Sequence, residues 1–198
     1  RQMCIRDRFK TTLLKIICKK ISNNGGTISL GAGVSIGYYD QAQDNLDDSK
    51  TIFDEISDAY PDLNNTKIRN TLAAFLFYGE DVFRPISSLS GGEKGRVSLA
   101  KLMLSHANFL ILDEPTAAMD PIAEQNVYLQ YNELSKNKTA FFISHRLSST
   151  RFCDRIILID GGKIREAGTH DELMDKGGLY HDMYMIQSRY YQEGVSAI

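Results

Sequence analysis

Two short stretches of this chain carry residues whose types and spacing could do chemistry. Ser90-Gly91-Gly92-Glu93 reads as a helix start, because a serine with a glutamate three positions on is a capping box. The unpaired N–H groups and positive dipole end of such a helix attract anions, and glycine lets a phosphate come close. The second stretch, Phe109-Leu110-Ile111-Leu112, is an apolar run fit for a buried strand. It ends on Asp113 and Glu114, adjacent carboxylates followed by Pro115 and Thr116. A strand end holds such a pair rigidly and faces the crevice at the carboxyl edge of a parallel sheet. An isolated Asp-Glu pair would merely begin a loop. Four apolar residues before it and Pro-Thr after it argue for a site.

Apolar periodicity supplies the elements around them. Leu14, Ile17, Cys18 and Ile21 mark a helix over Thr11–Ile21, ended by Asn23-Asn24-Gly25-Gly26. Thr27–Leu30 and Val34–Tyr39 read as short strands. Between Ser49 and Gly79 the pattern is helical, with Ile52, Phe53 and Ile56 in one segment and Ile68, Leu72, Phe75 and Leu76 in the next. Pro61 separates them. The helix opened by Ser90 runs to about His106. Thr139–Ile143 and Arg155–Asp160 join Phe109–Leu112 as apolar, branched strands, and a helix over about Ile122–Ser135 links Phe109–Leu112 to Thr139–Ile143. Gly161-Gly162 is a hairpin turn into Lys163–Ala167.

Bulk properties narrow the function classes. The 198 residues, 42% of them hydrophobic, suffice for one sizeable core and a single domain. A formal charge of −2 disfavours a dedicated nucleic-acid binder. No apolar run approaches the ~20 residues needed to cross a bilayer, so a membrane role requires a partner domain. Cys4, Cys18 and Cys153 have neither metal-ligand nor paired spacing, which suits reduced thiols in the cytoplasm.

Leu89-Ser90-Gly91-Gly92-Glu93 and Phe109 to Thr116 resemble the signature and Walker B motifs of an ATP-binding cassette (ABC) ATPase. The resemblance runs from about Lys10 to about Gln187. It implies an α/β fold: a P-loop NTPase-type parallel sheet flanked by helices, with a small helical subdomain inserted between Gln41 and Leu89. It implies ATP and Mg2+ as cofactors. Asp113 would hold the Mg2+, with Thr11 and Gln41 as further metal contacts, and Glu114 would polarise the attacking water. His145, after Phe141-Phe142-Ile143-Ser144, resembles the switch histidine that bonds the terminal phosphate and holds Glu114 in place. Gln41 would report nucleotide state to the helical arm. Lys10, Thr11 and Thr12 would bind nucleotide in one copy, while Ser90, Gly91, Gly92, Glu93 and Asp120 would serve a second cassette in a head-to-tail dimer.

The pattern also breaks. A Walker A motif reads GxxxxGK[ST]. Aligning on Lys10 and Thr11 puts Cys4 and Phe9 at its glycines. A non-glycine residue in a strained conformation costs ~1–3 kcal/mol. Two or three lost charge-assisted bonds remove roughly 3–9 kcal/mol, whereas micromolar affinity amounts to about 8 kcal/mol. Arg1–Arg8 reads as no natural strand and loop. Residues 1–9 are therefore expected to be an artefactual segment on an N-terminally truncated gene, with a divergent loop as the alternative. The cassette is expected over 10–187, its helical subdomain over about 42–88, and a tail over 188–198.

A second break lies near Thr116. Ile36-Gly37-Tyr38-Tyr39-Asp40-Gln41 and Leu89 to Val97 resemble the soluble F subfamily, which acts on ribosomes. Thr116-Ala117-Ala118-Met119-Asp120-Pro121, Phe142 to Leu147 and Gly162 to Leu173 resemble an exporter's cassette. Three readings follow: the ATPase motor of an exporter with a transmembrane partner, on the cytoplasmic face of its membrane; a soluble ribosome-acting ATPase; or an inert, chimeric fragment.

Overall fold

A computed structural model of the chain describes residues 2–6, 10–39, 46–117, 119, 121–134, 138–144 and 146–195. Its strands are β1 (Gln2–Arg6), β2 (Ile36–Tyr39), β3 (Phe109–Asp113), β4 (Thr139–Ile143), β5 (Arg155–Asp160) and β6 (Lys163–Gly168). Its helices are α1 (Lys10–Ile17), α2 (Ile52–Ala59), α3 (Asn65–Ala74), α4 (Gly91–Leu104), α5 (Pro121–Leu134), α6 (His170–Asp175) and α7 (Leu179–Val195). The chain divides into two compact units, one of 1–31 with 139–198, the other of 32–138. This is the expected α/β class, with parallel strands and accompanying helices.

In the first unit β1 lies between β4 and β5, parallel to both, with Cys4 opposite Phe142 and Ile156. Gln2–Arg6, part of the 1–9 segment, pairs here because two apolar strands offer open N–H and C=O rows, and it fills both ladders. β6 runs antiparallel to β5 through Gly161-Gly162, whose φ angles of 58° and 72° are those of a type I′ hairpin. Leu147, Ile156, Leu158, Leu173 and Tyr180 form the core of this unit. The buried phenol of Tyr180 is satisfied, its Oη lying 2.6 Å from Thr150 Oγ1 and 2.8 Å from His170 Nδ1. Glu166 of β6 accepts from the Leu179 and Tyr180 N–H groups at 3.2 and 2.9 Å, capping α7 with a carboxylate as its dipole demands.

Helix α1 stops at Ile17, short of the expected Ile21. Lys19 turns left-handed (φ 57°), and the bonds Lys20 N–H to Lys15 O and Lys19 N–H to Ile16 O close a Schellman motif before the Asn-Gly run is reached. Leu76 (φ 67°) ends α3 the same way, with Phe77 N–H bonded to Leu72 O, so the expected helical Phe75 and Leu76 lie past its end. Thr27–Leu30 forms no ladder among the described residues, and Ile28 is exposed. An apolar pair set among glycines has too little backbone pairing to hold a strand.

In the second unit β2 and β3 pair in parallel, Ile36 opposite Phe109 and Tyr39 opposite Leu112. Helix α4 packs on β2 at Gly37, where an added Cβ would lie 2.6 Å from Leu102 Cδ1 and 2.9 Å from Ala107 Cβ. Gly37→Ala is therefore expected to destabilise the chain by about 1–3 kcal/mol in denaturant unfolding, since Ala107 has no rotamer with which to yield.

The helical arm falls wholly within this unit. Thr51 and Asn64 cap α2 and α3 by accepting from the Asp54 and Lys67 N–H groups. Ile52, Ile56, Ile68, Leu72, Phe75 and Val82 fill its interior. Lys101 of α4 reaches Glu55 of α2 at 2.5 Å, and Glu55 is 4% exposed. Tyr60 Oη donates to Lys101 O at 2.8 Å, a second tie between the same elements. At the far end of α4, Lys138 Nζ donates to the Met103 and Ser105 carbonyls, which ends the helix at Leu104 rather than His106. Among the described residues no helix is long and apolar enough to cross a membrane.

Candidate nucleotide-binding site

The start of α4 is the capping box read from the sequence. Ser90 Oγ accepts from the Glu93 N–H at 3.3 Å, and Glu93 Oε2 accepts from the Ser90 N–H at 2.9 Å. The Ser90 hydroxyl also donates to Oε2 at 2.9 Å. Arg84 Nη1 donates to the other oxygen, Oε1, at 2.7 Å. A Cβ built on Gly91 would meet nothing within 4 Å. Both Glu93 oxygens are engaged within the protein.

The Arg84 hydrogen bond, helped by the two bonds from Ser90, pushes the Glu93 carboxyl down to about 2 from its ordinary 4.5. A carboxylate depressed in the folded state stabilises that state above its unfolded pKa. The contribution is then lost as pH falls from about 4.5 to about 2. At neutral pH Ser90→Ala is expected to cost about 1 kcal/mol. Glu93→Gln should lower the urea midpoint at neutral pH, and its deficit against the unaltered chain should shrink through that acid window.

The strand β3 delivers its carboxylates as expected. Asp113 closes the strand and is 7% exposed. Glu114 then turns the chain with φ 50°, a left-handed conformation rare for a side-chain-bearing residue and worth ~1–3 kcal/mol of strain. Pro115 contributes to this, because a residue before proline is kept out of the right-handed helical region. The bonds Ala117 N–H to Glu114 O at 3.2 Å and Met119 N–H to Thr116 O at 3.0 Å close the corner. Thr116 anchors it: its Oγ1 donates to Glu124 Oε1 at 2.7 Å and lies 2.8 Å from Tyr128 Oη. With its proton given to Glu124, Thr116 accepts from Tyr128. All three are buried, and Pro121, at the first position of α5, suits the start of the helix that carries Glu124 and Tyr128.

Ser90, Gly91, Gly92 and Glu93 therefore form one cap, and Asp113 and Glu114 one corner, in the same unit. Lys10, Thr11 and Thr12 open α1 in the other unit, where Thr12 is exposed and the Lys10 and Thr11 side chains lie outside the described residues. Gln41, Asp120 and His145 also lie outside them. The residues around His145 are held: Arg146 N–H donates to Ser144 Oγ at 2.9 Å and Leu147 N–H to Gln187 Oε1 at 2.8 Å. Arg84 and the Thr116–Glu124–Tyr128 anchor went unread in the sequence. Arg84 has no periodic relation to Glu93, and a threonine eight positions before a helix glutamate is no recognised signal.

The donor sets fit a magnesium nucleotide in part. Hard carboxylate oxygens at a rigid strand end suit Mg2+, and a glycine-flanked helix start suits phosphate. The phosphate-loop side departs, since Cys4, aligned with its first glycine, lies inside β1 rather than in a loop.

A family profile described as ABC transporter matches residues 10–117. The chain belongs to the ABC transporter family. Among curated relatives of this cassette, YdiF of Bacillus subtilis, described as an ATP-binding protein, is 44% identical over 169 residues, 84% of this chain and 26% of the relative. The ATP-dependent lipid A-core flippase of Vibrio vulnificus is 45% identical over 101 residues, 51% of this chain and 17% of the relative. The LcnC-like lactococcin transport/processing ATP-binding protein of Lactococcus lactis is 35% identical over 199 residues, 88% of this chain and 27% of the relative. The cassette thus spans at most 27% of these relatives. A solved bacterial Atm1-family ABC exporter with ATP bound matches 94% of this chain and 36% of its own, with a TM-score of 0.77 at 23% identity, a likeness of fold.

Proposed function

We propose that this cassette binds and hydrolyses ATP with Mg2+ and powers export through a transmembrane partner, on the cytoplasmic face of the membrane. The observation that carries the reading is the β3 corner: a buried aspartate and a glutamate on a strained, anchored turn, in the same unit as the capped start of α4. The flippase and lactococcin-transport relatives support the transport part of this reading. None of the relatives above is named for ribosomes, and nothing observed favours that alternative.

In this reading Mg2+ supplies charge neutralisation at the phosphates when bound, held by Asp113 with Thr11 and Gln41. Glu114 accepts a proton from the attacking water, and His145 bonds the terminal phosphate. Lys10, Thr11 and Thr12 contact the nucleotide of the same chain. Ser90, Gly91 and Gly92 present N–H groups to the nucleotide of a second cassette packed head to tail, with Asp120 at the seam. The absence of glycine at 4 and 9 weakens the chain's own phosphate loop, so its affinity for ATP is below that of an intact loop.

Nucleotide titration tests the proposal. At millimolar MgATP the 198-residue chain should show a thermal shift that Lys10→Ala removes. No shift in the unaltered chain at any soluble ATP concentration would overturn the reading in favour of the inert fragment.

A further inference from the structure

Glu93, which closes the capping box of α4, places a negative charge where the task proposed for that helix calls for phosphate. An N-terminus attracts phosphate through its positive end, and a carboxylate in the first turn sets a negative charge beside the same N–H groups. Arg84 answers that charge. Its Nη1 holds Glu93 Oε1 at 2.7 Å while Oε2 serves the Ser90 cap. Arg84 is itself fixed by its backbone: its N–H donates to Asp81 O and its carbonyl accepts from the Ile52 N–H, each at 3.1 Å. The guanidinium therefore comes from the helical arm, on a strut independent of α4, and it stays charged at every working pH.

We propose that Arg84 is a positioning residue for the Ser90–Gly92 segment: it neutralises Glu93 so that the α4 N-terminus can accept a triphosphate. The inference rests on the nucleotide-binding reading above and deepens it. Arg84 acts through Glu93 and not on the nucleotide. Its removal has two consequences. The Glu93 carboxylate then repels the incoming polyanion. It also tightens its hold on the Ser90 hydroxyl proton, which Ser90 must release from Oε2 to donate to phosphate. With glutamine at position 93 there is no charge to neutralise, and Arg84 becomes dispensable for this purpose. The requirement for arginine at 84 is thus conditional on the acid at 93.

The test compares Arg84→Ala, Arg84→Gln and Arg84→Lys, each made with Glu93 and with Glu93→Gln. Half-saturating MgATP and kcat are read from hydrolysis, and the Glu93 carboxyl is titrated by carbon-13 NMR without nucleotide. With Glu93 present, Arg84→Ala and Arg84→Gln should raise half-saturating MgATP about tenfold with kcat at saturation little changed. Arg84→Lys, which keeps the charge, should stay within about threefold. In the Glu93→Gln background Arg84→Ala should matter less than about twofold, measured against Glu93→Gln alone. The Glu93 carboxyl should titrate near 2 in the unaltered chain and move back toward 4.5 in Arg84→Ala. An equal penalty in both backgrounds would mark Arg84 as a purely structural prop and overturn the inference, as would no penalty with Glu93. Failure of the functional reading has a different sign: the unaltered chain then shows no MgATP-dependent turnover, and the inference falls with it.

Discussion

Glu55→Ala lowers the stability of the chain by about 3 kcal/mol. This is the low end of the ~3–5 kcal/mol range for breaking a buried ion pair. Glu55 is 4% exposed and accepts from Lys101 Nζ at 2.5 Å and from the Asp47 N–H at 3.3 Å. Alanine strips the ammonium of this carboxylate and leaves a cavity between α2 and α4. The low end applies because the Lys101 side chain is 22% exposed and can swing toward water. Replacing both members separates charge from packing. Glu55→Leu with Lys101→Met should recover most of the loss, since a well-packed apolar pair is often as stable as the ion pair it replaces. Urea unfolding of the two single variants and the double variant measures the coupling. A single-variant loss under about 1 kcal/mol, or strictly additive losses, would show that the pair holds little.

Glu114→Gln should reduce ATP turnover by about 10²–10⁴-fold, the usual contribution of a general base and roughly 3–5 kcal/mol of barrier. Glutamine keeps the shape and the hydrogen-bonding reach of the side chain but cannot take a proton. It also inherits the same backbone corner, so the thermal midpoint without nucleotide should move little. Binding of MgATP should survive, which separates this variant from Lys10→Ala. Single-turnover kinetics with the Glu114→Gln variant read the chemical step directly. A rate within about threefold of the unaltered chain would remove Glu114 from the reaction.

What the sequence disclosed depended on how local the signal was. The capping box spans four positions and fixed the start of α4, and the apolar runs gave β3, β4 and β5 almost to the residue. Gly161-Gly162 announced its hairpin because two consecutive left-handed residues have few other uses. Three features were hidden. Lys19 and Leu76 end helices in a conformation that glycine normally marks, so no residue type flagged them. Gln2–Arg6 enters the fold through backbone ladders whose partners lie far along the chain, and its composition gives no hint of them. Arg84 reaches Glu93 by a fold-dependent crossing that no periodicity encodes. Within the candidate site the acids and the serine were legible because their chemistry is written in type and spacing. The parts that aim them, Arg84 and the Thr116 anchor, exist only once the chain is folded.

The left-handed backbone at Glu114 also sets a direction for engineering this chain. Glycine adopts that geometry without steric objection, so a campaign that rewards heat tolerance alone would drift toward glycine at 114 and gain ruggedness as it discarded the carboxylate. Under the role proposed for Glu114, robustness and reactivity are opposed at that single position, and a library screened for one should hold 114 constant to keep the other.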